Sequence, residues 1–388
     1  MVTIETADNA LKTFYLDAVS DALDMKANPL LAQFSRSTSD VAGKDVKKLV
    51  RVGMNGGIAA GTETGDLPAA KGNDYVTFTV PLKNLYGTIE ISDKAIRASS
   101  NNEGAFVNLL NDEMETLVKS ASLNFGRMLF GDGTGALGKV LSYSGTTVKF
   151  DTVKNIVEGM VLEFYMDGFP VPDNPGRRVL SVDRSVTGSS VTFEGSDFIP
   201  ASMVEGAIAY LKGSKDKEIT GLGAIFADTD TLYGAQRTKL MTPYKKKNVG
   251  VLTESDLQAA IDSIEECTGS KINFIVCSSG VRRALAEELQ NRQMFTTEEL
   301  KGGHKCMTFN GIPIVSDRFC PAGTMYLLNT NDFKIHQLCD WQWLEGEDGK
   351  VLKQIPGKPV YTATLVKYAE LMCERPGGQG VLLGINEI

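Results

Sequence analysis

The sequence predicts a mixed α+β chain with a small all-β domain inserted into it, on three observations. Two alternating, β-branched runs, Val46 to Val52 and Tyr75 to Val80, are joined by a long glycine-rich excursion from Gly53 to Asp74. A long amphipathic helix follows from about Glu103 to Phe130 and stops at Gly131-Asp132-Gly133-Thr134-Gly135. Short β runs spaced by Gly, Pro, Asp and Ser turns then fill residues 139–213, and the pattern becomes mixed again from Lys217.

At the start of the chain, Leu11, Phe14, Tyr15, Ala18, Ala22 and Met25 stand near helical spacing, and Asn28-Pro29 disfavours continuation. This is an amphipathic arm, with Phe14 a candidate contact residue. The glycine-rich connection of the two strands is much longer than the two to five residues usual for a hairpin, and a lone two-stranded ribbon is marginal in water. It needs a surface to lie on. Either it is a flexible loop on a monomer, or it is an arm that crosses a neighbouring subunit, with Ile58, Thr62, Glu63, Leu67 and Lys71 as contact residues. Ser92-Asp93 then caps a short helix through Arg97.

The long helix places Phe106, Leu110, Met114, Leu117, Ala121, Phe125 and Met128 at steps of three and four, and at 1.5 Å per residue it spans about 42 Å. Gly131 is expected to supply the left-handed residue that ends it. In the β-rich stretch the runs 147–150, 160–165, 178–182, 190–193 and 207–211 suggest a small barrel or sandwich. Further on, Thr253 caps a helix from Glu254 to about Cys267, Asn273 to Ser278 is an apolar strand, and Ser279 caps a second helix to about Asn291. Asn310-Gly311 marks a hairpin between 307–309 and 312–315, weakened by Pro313. Strands follow at 325–328 and 333–338, a long one runs from Val360 to about Arg375, and a last one covers 381–385.

Composition narrows the function. The 388 residues are 42% hydrophobic and 23% charged, ample for a large core. No apolar run of about 18 residues and no signal-peptide start is present, so a cytosolic product with no membrane association is expected. The six cysteines are scattered singly with no zinc-type spacing, and the two histidines, His304 and His336, leave little for His-based catalysis or metal binding. No cofactor is expected. The net charge of −8 has the wrong sign for affinity gained from nucleic-acid phosphates, and an acidic surface facing DNA lets it slide.

Several motifs suggest chemistry and fail on context. Gly133 to Lys139 matches the first seven positions of GxxxxGK, but Val140 has no hydroxyl for magnesium and the loop follows a helix. A nucleotide-dependent enzyme built on residues 133–139 is therefore a remote alternative. Adjacent acids such as Asp112-Glu113 and Glu265-Glu266 point in different directions on a helix, and Val276 replaces the leading glycine of a nucleophile elbow at 276–280. Trp341 and Trp343 lie at strand spacing with both rings on one face, either as strand core or as a ring of contacts at a symmetry axis.

The order of arm, glycine-tipped ribbon, short helix, spine helix, mixed domain and long terminal strand resembles the major capsid proteins of tailed bacteriophages, a shell fold shared with encapsulins and herpesvirus capsid floors. The segments Phe125-Gly126-Arg127-Met128-Leu129-Phe130-Gly131-Asp132-Gly133-Thr134-Gly135 and Phe309-Asn310-Gly311-Ile312-Pro313-Ile314-Val315 are similar to segments recurring in these shells. The resemblance implies an N-terminal arm at 1–45, an extended loop at 46–82 and a peripheral domain with the spine helix at 83–138. It further implies a β-rich insertion domain at 139–213, an axial domain at 214–356 and a return to the peripheral domain at 357–388. It also implies a structural protein, not an enzyme, forming hexamers and pentamers of an icosahedral head around double-stranded DNA without sequence-specific binding, assembled in the host cytoplasm. No cleaved N-terminal domain is expected, any scaffolding, portal or decoration protein would be a separate chain, and Lys71 is a solvated lysine more readily than a crosslink. An encapsulin-like nanocompartment shell is the alternative within the same fold.

Overall fold

The computed structural model describes residues 28–41, 43, 45–94, 103–172, 176–185, 188–195, 205–290, 297–299, 305–346 and 349–388. The expected arm helix with Phe14, most of the short helix through Arg97, and His304 lie outside the described residues. By compactness the chain divides into one unit of Met1–Asn124 with Ile225–Ile388 and a second of Phe125–Ala224.

The first unit opens with a turn of 3-10 helix at Leu31–Gln33, entered through Asn28, whose Oδ1 accepts from the Leu30 and Leu31 N–H groups at 2.9 and 3.1 Å. Strands β1 (Ser35–Ser37), β2 (Asp45–Val52), β3 (Asp74–Pro81) and β4 (Lys83–Ser92) precede helix α1 (Glu103–Met128). The expected ribbon forms: β2 and β3 pair antiparallel from Asp45↔Pro81 to Val52↔Asp74. Strand β4 was not foreseen, although Leu85, Gly87, Ile89 and Ile91 keep the two-residue step of a half-buried strand. A Cβ on Gly87 would stand 3.0 Å from Leu117 Cδ1, so the missing side chain lets α1 approach the strand closely.

Helix α1 ends at Met128, two residues earlier than the spacing suggests, and not by a left-handed Gly131. Phe130 N–H bonds Arg127 O at 3.1 Å and Gly131 N–H bonds Met128 O at 3.0 Å, which tightens the last turn. The left-handed residues come later, at Gly133 (φ 90°) and Gly135 (φ 83°).

The second unit holds β5 (Ala136–Ser144), β6 (Thr147–Phe150), β7 (Val161–Met166), β8 (Phe169–Pro170), β9 (Arg177–Ser185), β10 (Gly188–Phe193) and β11 (Ile208–Leu211). Because β11 pairs with both β5 and β7, the path β11-β5-β6-β10-β9-β7 returns on itself, with β8 attached to β7. The expected barrel or sandwich is a closed barrel. Phe150, Phe164 and Phe193 fill it, Phe164 meeting Phe193 edge-on at 5.8 Å between centroids. Closure leaves no open edge on the six strands of that path.

The first unit resumes with the hairpin β12 (Thr231–Leu232) and β13 (Ala235–Gln236), then β14 (Tyr244–Lys246), α2 (Glu254–Thr268), β15 (Phe274–Cys277) and α3 (Ser279–Gln290). Strands β16 (Thr297–Glu299), β17 (Lys305–Phe309), β18 (Ile312–Ser316), β19 (Thr324–Leu328), β20 (Phe333–Trp343), β21 (Lys353–Gln354), β22 (Val360–Cys373) and β23 (Gly380–Leu383) complete it. One sheet runs β14-β23-β19-β15-β18-β17-β16, and its core gathers Leu257, Ile264, Ile275, Val281, Leu285 and Leu382. In the other, β20 lies between β1 and β22, and β4 pairs with β22 from Ser92↔Val360 to Lys83↔Ala369.

Local signals explain these ends. Thr253 and Asp256 form a capping box on α2, and Gly269 closes it at φ 67°. The Asn310-Gly311 turn takes φ 50° and 77°, the left-handed pair that a tight hairpin requires. The cap of α3 is Ser278, not Ser279: Ser278 Oγ accepts from Val281 N–H at 3.4 Å and donates to the Glu387 carboxylate.

Candidate subunit interface

The root of the ribbon is fastened by its own sequence pattern. Val46, Phe78 and Val80 are buried, and the Phe78 ring lies 5.4 Å from that of Tyr233 at the tip of the β12–β13 hairpin. Thr79 N–H donates to Tyr233 O at 2.9 Å, and Cys373 N–H donates to the Tyr233 hydroxyl at 3.1 Å. Burial pushes that phenol well above its ordinary range, so it stays a neutral donor and acceptor. Lys48 and Glu374, 3.0 Å apart, add a half-exposed ion pair.

Beyond the root the character reverses. Leu49 is 59% exposed, Met54 82%, Ile58 72%, Leu67 91% and Tyr75 53%. The excursion between the strands is held by a few polar contacts: Asn55 Nδ2 donates to Asn73 Oδ1 at 3.0 Å, Gly57 N–H to Asn55 Oδ1 at 2.8 Å, and Gly65 N–H to Thr62 O at 3.2 Å. Thr62, Glu63 and Lys71 are exposed beside them. Burying one large apolar side chain stabilises by roughly 1.5–3 kcal/mol, so the ribbon carries that potential for association in several copies.

Of the contact residues expected from sequence, Ile58, Thr62, Glu63, Leu67 and Lys71 share this exposed excursion. Trp341 and Trp343 do not belong with them. They alternate with exposed Gln342 on β20, are 5% and 6% exposed, and pack inside the subunit, with Lys367 Nζ 5.9 Å from the Trp341 ring centre. Sequence reasoning passed over Leu49, Met54 and Tyr75. Leu49 was marked by its place between Lys47 and Arg51 on the exposed face of β2.

The glycine loop after α1 turns its polar groups on its own unit. Asp132 Oδ1 accepts from Thr134 N–H at 2.9 Å, and a Cβ on Gly135 would stand 3.1 Å from the Glu218 carboxyl carbon. Glu218 pairs with Arg127, both buried, and places a carboxylate where a nucleotide would bring its own negative charge. Lys139 lies on β5, and its N–H is taken by Asp151 Oδ1 at 2.8 Å. Residues 133–139 are thus a helix-to-strand turn and the start of β5, not a strand-to-helix phosphate loop. Among the described residues no group of His, Cys, Asp and Glu is arranged to hold a metal ion, and no helix is long and apolar enough to cross a membrane.

A family model described as SU10 major capsid protein matches residues 183–349. The cyanophage A-1(L) capsid asymmetric unit is similar at a TM-score of 0.56 and 12% identity, with 93% of each chain covered. The fold is that of a capsid shell subunit. It extends over both compact units, since the uncovered remainder is smaller than either. Similarity is also found to the holo-SrpI encapsulin complex of Synechococcus elongatus PCC 7942, with a TM-score of 0.46, 12% identity, and 93% of this chain and 89% of that chain covered. Mycobacterium phage Bobi gives a TM-score of 0.47 at 10% identity, with 94% and 92% covered. Among curated proteins none matches this shell-fold chain.

Proposed function

We propose that this chain is the major structural protein of a tailed-phage head, assembling into hexamers and pentamers that close an icosahedral shell around double-stranded DNA. The observation that carries the reading is the ribbon, buried at its root and exposing Leu49, Met54, Ile58, Leu67 and Tyr75 beyond it. A closed shell needs heterologous contacts that repeat by symmetry, and an apolar arm fixed at one end supplies one side of such a contact. The net charge of −8 fits a wall that encloses DNA without gripping its phosphates.

In this assignment residues 1–45 are the arm, 46–82 the extended loop, 83–138 the peripheral domain with α1, 139–213 the insertion, 214–356 the axial domain and 357–388 the return to the periphery. Assembly takes place in the host cytoplasm, with scaffolding, portal and decoration functions on other chains. The family match over residues 183–349 supports a viral head over a cellular nanocompartment. Deleting residues 55–72 is expected to leave a soluble subunit that no longer forms particles. Negative-stain electron microscopy checks this, and normal shells from the deleted chain would defeat the reading. Purified wild-type particles holding DNA agree with a head; particles holding an enzyme cargo instead would make the chain a nanocompartment shell.

A further inference from the structure

His336 lies in the first half of β20, 1% exposed, and neither ring nitrogen has a hydrogen-bond partner. Beside it lie the short edge strand β1 and the turn after it. Ser37 stands beside His336 in the parallel β1–β20 register, and Asp40 Oδ2 lies 4.0 Å from His336 Nδ1, too far for a hydrogen bond. An imidazole buried without partners costs less when neutral than when charged.

Side-chain contacts add to the strand pairing that holds this segment to β20. Lys334 Nζ donates to Asp40 Oδ2 at 2.6 Å, Arg36 Nη1 to Asp340 Oδ2 at 2.8 Å, and Ser35 Oγ to Phe333 O at 3.2 Å. The Phe34 and Phe333 rings stack at 4.8 Å. The charged groups around the imidazole come from every neighbouring element: Asp40 after β1, Lys334 on β20, Glu370 opposite on β22, Glu374 just beyond β22, and its ion-pair partner Lys48 on β2. Lys334 already donates to the Asp40 carboxylate, so a proton on His336 brings a second cation beside the same acid.

We propose that His336 makes β1 an acid-sensitive latch: neutral, it lets residues 35–40 close over β20, and protonated, it releases them. The sign follows from linkage. Burial first, then the Lys334 charge, depresses the His336 pKa in the folded state, so the latch is fully closed above the ordinary histidine value near 6.5 and weakens as the pH falls below it. Asp40 is not the trigger in that window, because its hydrogen bond from Lys334 holds its carboxyl at about 2.

The test is amide hydrogen exchange on the full-length chain from pH 8 to 5, read as protection factors for residues 35–40, with α2 as an internal reference. Wild-type protection is expected to fall by up to about tenfold per pH unit once below the transition, the limit for one proton, while α2 stays flat. His336→Gln and His336→Phe each remove the titration, and either variant that folds is expected to show no pH step in this range. Flat wild-type protection overturns the proposal, as does a pH step that survives in either variant.

Discussion

Arg127 and Glu218 are 4% and 2% exposed, a pair of charges taken almost wholly out of water. Arg127 stands in the last turn of α1, where the carbonyl end of the helix favours a cation, and Glu218 completes its neutralisation. Removing the carboxylate takes this counter-charge away from a buried guanidinium. Glu218→Gln is expected to destabilise by about 3 kcal/mol in urea denaturation, and adding Arg127→Met to it to recover part of that loss. A loss within about 0.5 kcal/mol, the range of ordinary surface substitutions, would mean that solvent reaches the pair. Nothing in the sequence announced this partnership, since both are common charges far apart in the chain. The Trp341–Gln342–Trp343 alternation was legible because strand period alone places both rings on one face; that the face is internal depended on β22 and could not be read locally.

At the scale of elements, legibility followed whether the signal was local. The ends of α2, the Asn310-Gly311 hairpin and the barrel strands β6, β7, β10 and β11 are each set by a few adjacent residues, and the sequence reading placed them within a residue or two, whereas β9 runs three residues past the expected Val182 and β5 and β8 were not foreseen. Strand β4 was missed because its partner β22 lies far downstream and Gly87 reads as a turn unless Leu117 is known to press on it. The barrel's closure was also out of reach, because it rests on β11 pairing twice. The capping box offers a quantitative check. Thr253 Oγ1 accepts from Asp256 N–H at 3.2 Å, and Thr253 N–H donates to Asp256 Oδ2 at 3.3 Å. Thr253→Ala therefore leaves an N-terminal donor of α2 without its side-chain partner and is expected to cost about 1 kcal/mol by urea denaturation. A neutral result would show that water caps the helix as well as threonine does.

For the molecule as a whole, the ribbon separates two requirements that a core residue would confuse. Ile58 and Leu67 are 72% and 91% exposed, so within the subunit neither contributes appreciably to folding. In an assembly the same side chains would bury their area once per subunit, and a modest loss at each repeated contact accumulates through multivalency. The long excursion made these two residues legible as contact candidates. Met54 and Tyr75 beside its ends became visible only when the strands showed where burial stops. The chain carrying Ile58→Asp with Leu67→Asp is therefore expected to keep the urea stability of the dispersed wild-type subunit within about 0.5 kcal/mol. It is also expected to fail to sediment as particles under conditions where the wild-type chain does. If the double variant unfolds more readily, the ribbon tip packs on its own subunit. If it folds normally and still forms shells of wild-type size, assembly is carried by another surface and the role assigned to the exposed ribbon is lost.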